Sequence, residues 1–218
     1  MAYNTIVFDW DGTLMDSTWS IAVAIQGACR DLGVPEPTMQ EAKWVIGLGM
    51  SEVIPKIAPN LSQPQLQEFL QAYRRHYFTQ DQDLKLFNGI PQLLQQLKQQ
   101  GLNLAVATGK SRVGLNRALD KHQLTPLFDI TRTADETRGK PHPQMLFEII
   151  DELMVEPEQV VMIGDTSHDI QMAQNAGVDS IAVTYGAHEI EELDKAQPSK
   201  TAASVEELAR LLELFTVH

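Results

Sequence analysis

Apolar residues fall into two rhythms along the chain. Short apolar runs, each stopping at a polar residue, predict buried strands. They are Thr5 to Phe8 before Asp9, Leu102 to Ala107 before Thr108, Val160 to Ile163 before Gly164 and Asp165, and Ser180 to Val183. A weaker run, Phe128 to Thr131, predicts a fifth. Between the later runs the apolar spacing lengthens to that of a helix. Ile90, Leu93, Leu94 and Leu97 share one face of a helix over 90–100 that Gly101 stops. Ser111 caps a helix to about His122, and further helices cover Pro143 to Met154 and His168 to Ala176. Ser204 with Glu207 has capping-box spacing and opens a helix to Phe215.

Strands alternating with helices predict a parallel sheet with helices on both faces, an α/β Rossmann-like fold. From about Asp16 to Leu84 the rhythm breaks. That stretch has no strand signal and four helical patterns: Trp19 to Leu32, Thr38 to Ile46, Ser51 to Ala58 and Gln63 to Phe78. It is far longer than one crossover requires. The division expected is therefore a core of residues 1–15 and 85–218 with an all-helical cap, 16–84, inserted after the first strand. Hinges are expected near residues 15–18 and 80–88.

The 218 residues, 43% hydrophobic, suffice for one domain with an insertion. The net charge of -12 disfavours nucleic acid and anionic membranes as partners. Cys29 is the lone cysteine, so no intrachain disulfide forms, and the chain opens without a signal-peptide pattern. No apolar run is long enough to span a bilayer. Together these predict a cytoplasmic protein, monomer or homodimer.

The chemistry lies at the strand ends, where open parallel sheets bind ligands. Asp9 and Asp11 are spaced to face one cavity, and Gly12 with Thr13 lets the backbone turn. Thr108 and Gly109 end the second strand, Gly164 and Asp165 another, with Asp169 a turn later and Lys140 in an intervening loop. Carboxylates of this kind suit Mg2+, a carboxylate can act as nucleophile, and a hydroxyl and a lysine can hold phosphoryl oxygens. Each residue also has a plainer reading: Asp165 as a turn former, Thr108 and Asp169 as helix caps, Lys140 as a loop lysine. Gly109-Lys110-Ser111 is not a nucleotide-binding P-loop, because Leu104 stands where that motif needs glycine. Lys110 and Arg112 read as solvated charge ahead of added positive potential near the site, the Arg74-Arg75 pair as a solvated helix face ahead of a contact with a second anionic group, and His142 and His168 as supporting or surface residues. Gly47 and Gly49 lie between two insertion helices, either a flexible turn or a loop that approaches a ligand.

Four segments in this order resemble the haloacid dehalogenase-like hydrolase superfamily: Asp9-Trp10-Asp11-Gly12-Thr13-Leu14, Ala105-Val106-Ala107-Thr108-Gly109, Lys140-Pro141 and Gly164-Asp165-Thr166-Ser167-His168-Asp169. The helical insertion resembles that family's cap, and the closest likeness is to phosphoglycolate phosphatases. The resemblance implies the strand order 3-2-1-4-5 and a Mg2+-dependent phosphatase of a small phosphorylated metabolite. It implies Asp9 as the phosphoryl-accepting nucleophile and Asp11 as general acid and base. Thr108, Gly109 and Lys140 would bind phosphate, and Asp9, Asp11 (through its carbonyl) and Asp165 the metal. Asp169 either meets the metal through water or orients Lys140. A phosphosugar mutase and a catalytically weak regulatory protein are the rivals. Dehalogenases and phosphonatases of this superfamily lack the second aspartate, whereas Asp11 is present.

Overall fold

A computed structural model describes residues 3–81 and 84–213. Six parallel strands form one sheet in the order β3-β2-β1-β4-β5-β6. They are β1 (Thr5–Phe8), β2 (Asn103–Thr108), β3 (Ile130–Thr133), β4 (Val160–Gly164), β5 (Asp179–Val183) and β6 (Lys200–Ala202). The predicted order of five strands holds, with β6 added at the edge. The third strand begins two residues later than its apolar run suggested.

Alternate side chains of the central strands enter opposite cores, as the pleat requires. Ile6 and Phe8, Leu104 and Val106, and Val161 and Ile163 join one cluster; Val7, Ala105, Ala107 and Met162 join the other. Both faces are buried, which is why these strands read as unbroken apolar runs. Helices α5 (Ile90–Gln99), α6 (Arg112–Lys121) and α10 (Val205–Glu213) contribute to the first cluster, and α7 (Gln144–Leu153) and α8 (Ser167–Ala176) to the second. Helix α9 (Ile190–Ala196) lies between β5 and β6. The predicted extension of the last helix to Phe215 lies outside the described residues.

Between β1 and β2 the chain forms α1 (Thr18–Asp31), α2 (Met39–Trp44), α3 (Met50–Ile57) and α4 (Gln63–Asp81), all within two or three residues of the predicted ends. Ala28, Cys29, Ile54, Phe69 and Ala72 form a small core of this segment's own. The chain leaving the sheet and the chain returning to it run side by side. Phe87 N–H donates to the Leu14 carbonyl and Asp16 N–H to the Lys85 carbonyl, each at 3.0 Å. Of the expected hinge over 80–88, residues 82–83 lie outside the described residues. Among the described residues no helix is long and apolar enough to cross a membrane.

Candidate active site

In-register pairing brings the strand ends together. Phe8 is level with Val106 of β2 and Ile163 of β4, so Asp9, Thr108 and Asp165 emerge from the same edge. Gly12, at φ +84°, turns the chain beneath them. A Cβ there, or on Gly186, would overlap the Asp165 carboxylate, so both positions need glycine for close approach.

Asp9, Asp165, Asp169 and Lys140 are fully buried. The Lys140 ammonium lies 2.7 Å from Asp9 Oδ1 and 2.6 Å from Asp169 Oδ1, bridging the two carboxylates. Asp165 accepts a hydrogen bond from the Thr13 hydroxyl at 2.8 Å and from the Ala187 N–H at 2.7 Å. Asp169 Oδ2 accepts from the Thr166 hydroxyl at 2.7 Å and caps α8 in a capping box with Thr166. Of the three roles weighed for it in sequence, Asp169 caps a helix and meets the Lys140 ammonium.

One ligand oxygen from each of Asp9, Asp165 and Asp169 lies within 4.8 Å of the others. Asp9 Oδ2 is buried and has no hydrogen-bond partner among the described residues. Three carboxylates against one ammonium leave two negative charges in a site shut off from water, where an unpaired charge is costly. Burial pushes the Asp9 carboxyl up to about 7, although Lys140 pulls it down. Burial, then the charges of Asp9 and Asp169, holds Asp165 well above the usual carboxylate range. Burial disfavours the Lys140 charge, but Asp169 and Asp9 more than offset that and raise its pKa. A divalent cation would balance this charge, and an all-oxygen donor set suits Mg2+. The residues fit the metal the motifs imply.

Asp11 faces a second cluster. Its carboxylate accepts from the Ser17 hydroxyl at 2.7 Å and from Lys110 Nζ at 2.9 and 3.0 Å. Lys110 also reaches the Tyr77 hydroxyl at 3.1 Å. Burial disfavours its charge, but Asp11, Tyr77 and Tyr73 raise its pKa overall. The expectation of a solvated Lys110 is therefore wrong: its stem is drawn inward by Asp11 and the α4 tyrosines. Arg112 is likewise engaged, with Glu136 and Thr131. Thr108 is buried, and its hydroxyl accepts from the Lys110 N–H at 3.3 Å.

The loop carrying Gly47 and Gly49 lies over the strand ends. A Cβ on Gly109 would stand 2.5 Å from the Gly47 carbonyl oxygen, and one on Gly47 3.2 Å from the Thr166 hydroxyl. Gly49 sits farther along, against Glu52 and Ala134. His168 is buried rather than on the surface. Its Nε2 donates to the Trp44 carbonyl at 3.0 Å, and His188 Nε2 donates to the same oxygen at 2.9 Å. His188 Nδ1 accepts from the Ser167 N–H, which makes this ring neutral with its proton on Nε2. His142 accepts the Gln144 N–H and has no metal-binding company among the described residues. Thr13 was read in sequence only as a turn residue, and Ser17, Thr166, Ala187 and His188 were given no role. Of these four only Thr166, inside a motif, carried a signal that could have found it.

A cavity of about 470 Å3 opens from Asp11 and Gly109 into the space between the inserted helices and α6.

A parallel α/β sheet carrying a buried acidic cluster at its strand ends, covered by inserted helices, defines a class of hydrolase. The chain belongs to the haloacid dehalogenase-like hydrolase family, whose profile matches residues 6–183. It is 31% identical to the phosphoglycolate phosphatase of Aliivibrio fischeri, over 96% of each chain. It is 32% identical to the tyrosine-protein kinase PtkA of Mycobacterium tuberculosis, over 95% of this chain and 72% of that one. Among solved structures, a haloacid dehalogenase-like hydrolase from Streptococcus pneumoniae superposes with a TM-score of 0.80 at 28% identity, covering 96% of this chain and 98% of that one.

Proposed function

We propose that the protein is a Mg2+-dependent phosphatase that hydrolyses a small phosphorylated metabolite through an aspartyl-phosphate on Asp9. The observation that carries this is the buried Asp9 carboxylate, one oxygen beside Lys140 and the other without a hydrogen-bond partner among the described residues. Asp9 attacks phosphorus, and the bond to the leaving oxygen breaks as Asp11 gives that oxygen a proton. Asp11 then takes a proton from water, whose oxygen attacks the phosphorus and releases phosphate from Asp9. Lys140, Thr108 and the backbone at Gly109 hold the phosphoryl oxygens as charge develops. Asp9, Asp165 and the Asp11 carbonyl would hold Mg2+, with Asp169 behind Lys140. When bound, the ion lowers the repulsion between phosphate and the clustered carboxylates.

In this reading residues 16–84 are a cap over a core of 1–15 and 85–218, and Gly47 and Gly49 belong to its substrate loop. The cap excludes water during turnover and opens for release. Similarity to phosphoglycolate phosphatases supports a phosphoglycolate-like phosphomonoester as the starting point for a substrate screen. The test is release of inorganic phosphate by the purified chain with Mg2+, by the chain after chelation, and by Asp9→Asn. Loss in both of the latter is expected; full release by either overturns the mechanism.

A further inference from the structure

The cavity beside Asp11 has a shape and lining that say more about the substrate than the motifs do. Asp11 must touch the oxygen of the departing alcohol, so the space that Asp11 and Gly109 open into is where the rest of that alcohol lies. Its volume, about 470 Å3, is within the range of about 300–1,000 Å3 occupied by ligands of many atoms. A two-carbon acid leaves most of it empty.

The walls are mostly apolar and aromatic, with Arg74, Lys110, Ser111, Arg117 and Asp135 among them. Leu48, Met50 and Val53 face it from the loop and α3, and Tyr73, Tyr77 and Phe78 from α4. Tyr73 and Tyr77 stack on each other with ring centres 5.9 Å apart, Lys110 Nζ lies 5.0 Å from the centre of the Tyr77 ring and Arg117 4.2 Å from that of Phe78, so the aromatic wall is packed and already carries two cations. The cation nearest the ester end, Lys110, is already bonded to Asp11 and Tyr77. A carboxylate directly beside the ester carbon, as in phosphoglycolate, would meet Asp11 there, with Lys110 already engaged by Asp11 and Tyr77. Most of the wall offers the hydroxyls of a sugar no partner, which selects against them. Arg74 also lines the cavity, is exposed, and makes no ion pair among the described residues. It suits a polar or anionic substituent far from the phosphate.

We propose, resting on the phosphatase reading, that the substrate is the phosphomonoester of an alcohol bearing an aromatic or heteroaromatic ring, held against the apolar and aromatic walls that α3 and α4 give the cavity. The full chain with Mg2+ is assayed for phosphate release from 2-phenylethyl phosphate, phosphoglycolate and glucose 6-phosphate, all esters of unactivated alcohols. The ring ester is expected to have the highest kcat/KM, by about tenfold or more. Val53→Trp, which fills the cavity, is expected to lower the ratio of ring ester to phosphoglycolate by about tenfold. Phe78→Ala, at a half-exposed position that does not tax the core, should lower the same ratio. A kcat/KM for phosphoglycolate or glucose 6-phosphate equal to or above that of the ring ester overturns this proposal alone, as does a ratio that Phe78→Ala leaves unmoved. No phosphate from any of the three overturns the phosphatase reading and this proposal with it.

Discussion

Lys110, two residues beyond Thr108, reaches across the strand ends and holds both carboxylate oxygens of Asp11, at 2.9 and 3.0 Å. The pair is nearly buried, and Tyr77 from the inserted helices shares the ammonium. One lysine thus ties β2, the loop after β1 and α4 together, and sets where the Asp11 carboxylate points.

Removing that lysine should cost stability and rate. Breaking a buried pair leaves a charge uncompensated, at about 3–5 kcal/mol. Lys110→Met is therefore expected to lower the midpoint of thermal unfolding by several degrees and kcat/KM by about tenfold or more. A variant with unchanged unfolding midpoint and unchanged kcat/KM would show that the pair contributes nothing.

Mg2+ should compete with protons for the acidic cluster. Burial raises the Asp9 carboxyl to about 7. Between its ordinary value near 4 and about 7, the folded chain keeps a proton that the unfolded chain has lost. Asp9 therefore contributes less stability to the metal-free protein as pH rises through that window. The ion displaces the proton, so stabilisation by saturating Mg2+ should grow with pH up to about 7 and then level off. Thermal unfolding with and without Mg2+ across this range checks it; a shift of the same size at every pH would contradict it.

Gly109 leaves no room for a side chain under the Gly47 carbonyl. Gly109→Ala should push the Gly47–Leu48 loop away from the strand ends. The expected result is a kcat reduced by about a hundredfold with a smaller loss of stability, since displacement of about 1 Å costs that much in a positioned reaction. Faster amide exchange confined to the loop and to α2 would locate the effect. Wild-type kcat would mean that the loop need not approach.

His168 and His188 fasten the Trp44 carbonyl, at the end of α2, to the core. Each bond is worth about 1 kcal/mol. Burial holds His168 down to about 4, well below its ordinary value near 6.5. The unfolded chain binds that proton more readily, so the stability His168 contributes is complete above about 6.5 and is lost as pH falls towards 4. His168→Asn should lose this dependence, so the gap in unfolding midpoint between variant and wild type should change across that window. A constant gap would remove the histidine from the account.

Much of the site was legible because its residues follow strands whose register is set by their own apolar alternation. A strand that ends at Phe8 must put Asp9 at the sheet edge, and one that ends at Gly164 must put Asp165 beside it. What was not legible depends on groups far apart in sequence. Lys110 looks like a surface lysine until α4 brings Tyr77 over it. His188 carries no motif at all, and its partner is a backbone carbonyl, which no side-chain pattern announces. The short strand β6 was invisible for a related reason. It has three residues and an exposed Lys200, and it is a strand only through pairing with β5. The third strand slid by two residues because an edge strand takes its register from its neighbour, here Ala105 against Ile130. Asp129, just ahead of it, is taken up by Lys98 and the Leu104 N–H.

By itself the sequence determined the parallel sheet, the helical insertion and the set of acids at the strand ends. Those features follow from local periodicity and from where each apolar run stops. Tertiary structure alone decided that Asp9 keeps one carboxylate oxygen without a hydrogen-bond partner among the described residues, that Lys140 bridges Asp9 to Asp169, and that Asp11 is held by Lys110. It also shaped the aromatic cavity between α4 and α6. Burial, charge balance and the volume of a cavity are properties of groups brought together across the chain, and no window of sequence contains them.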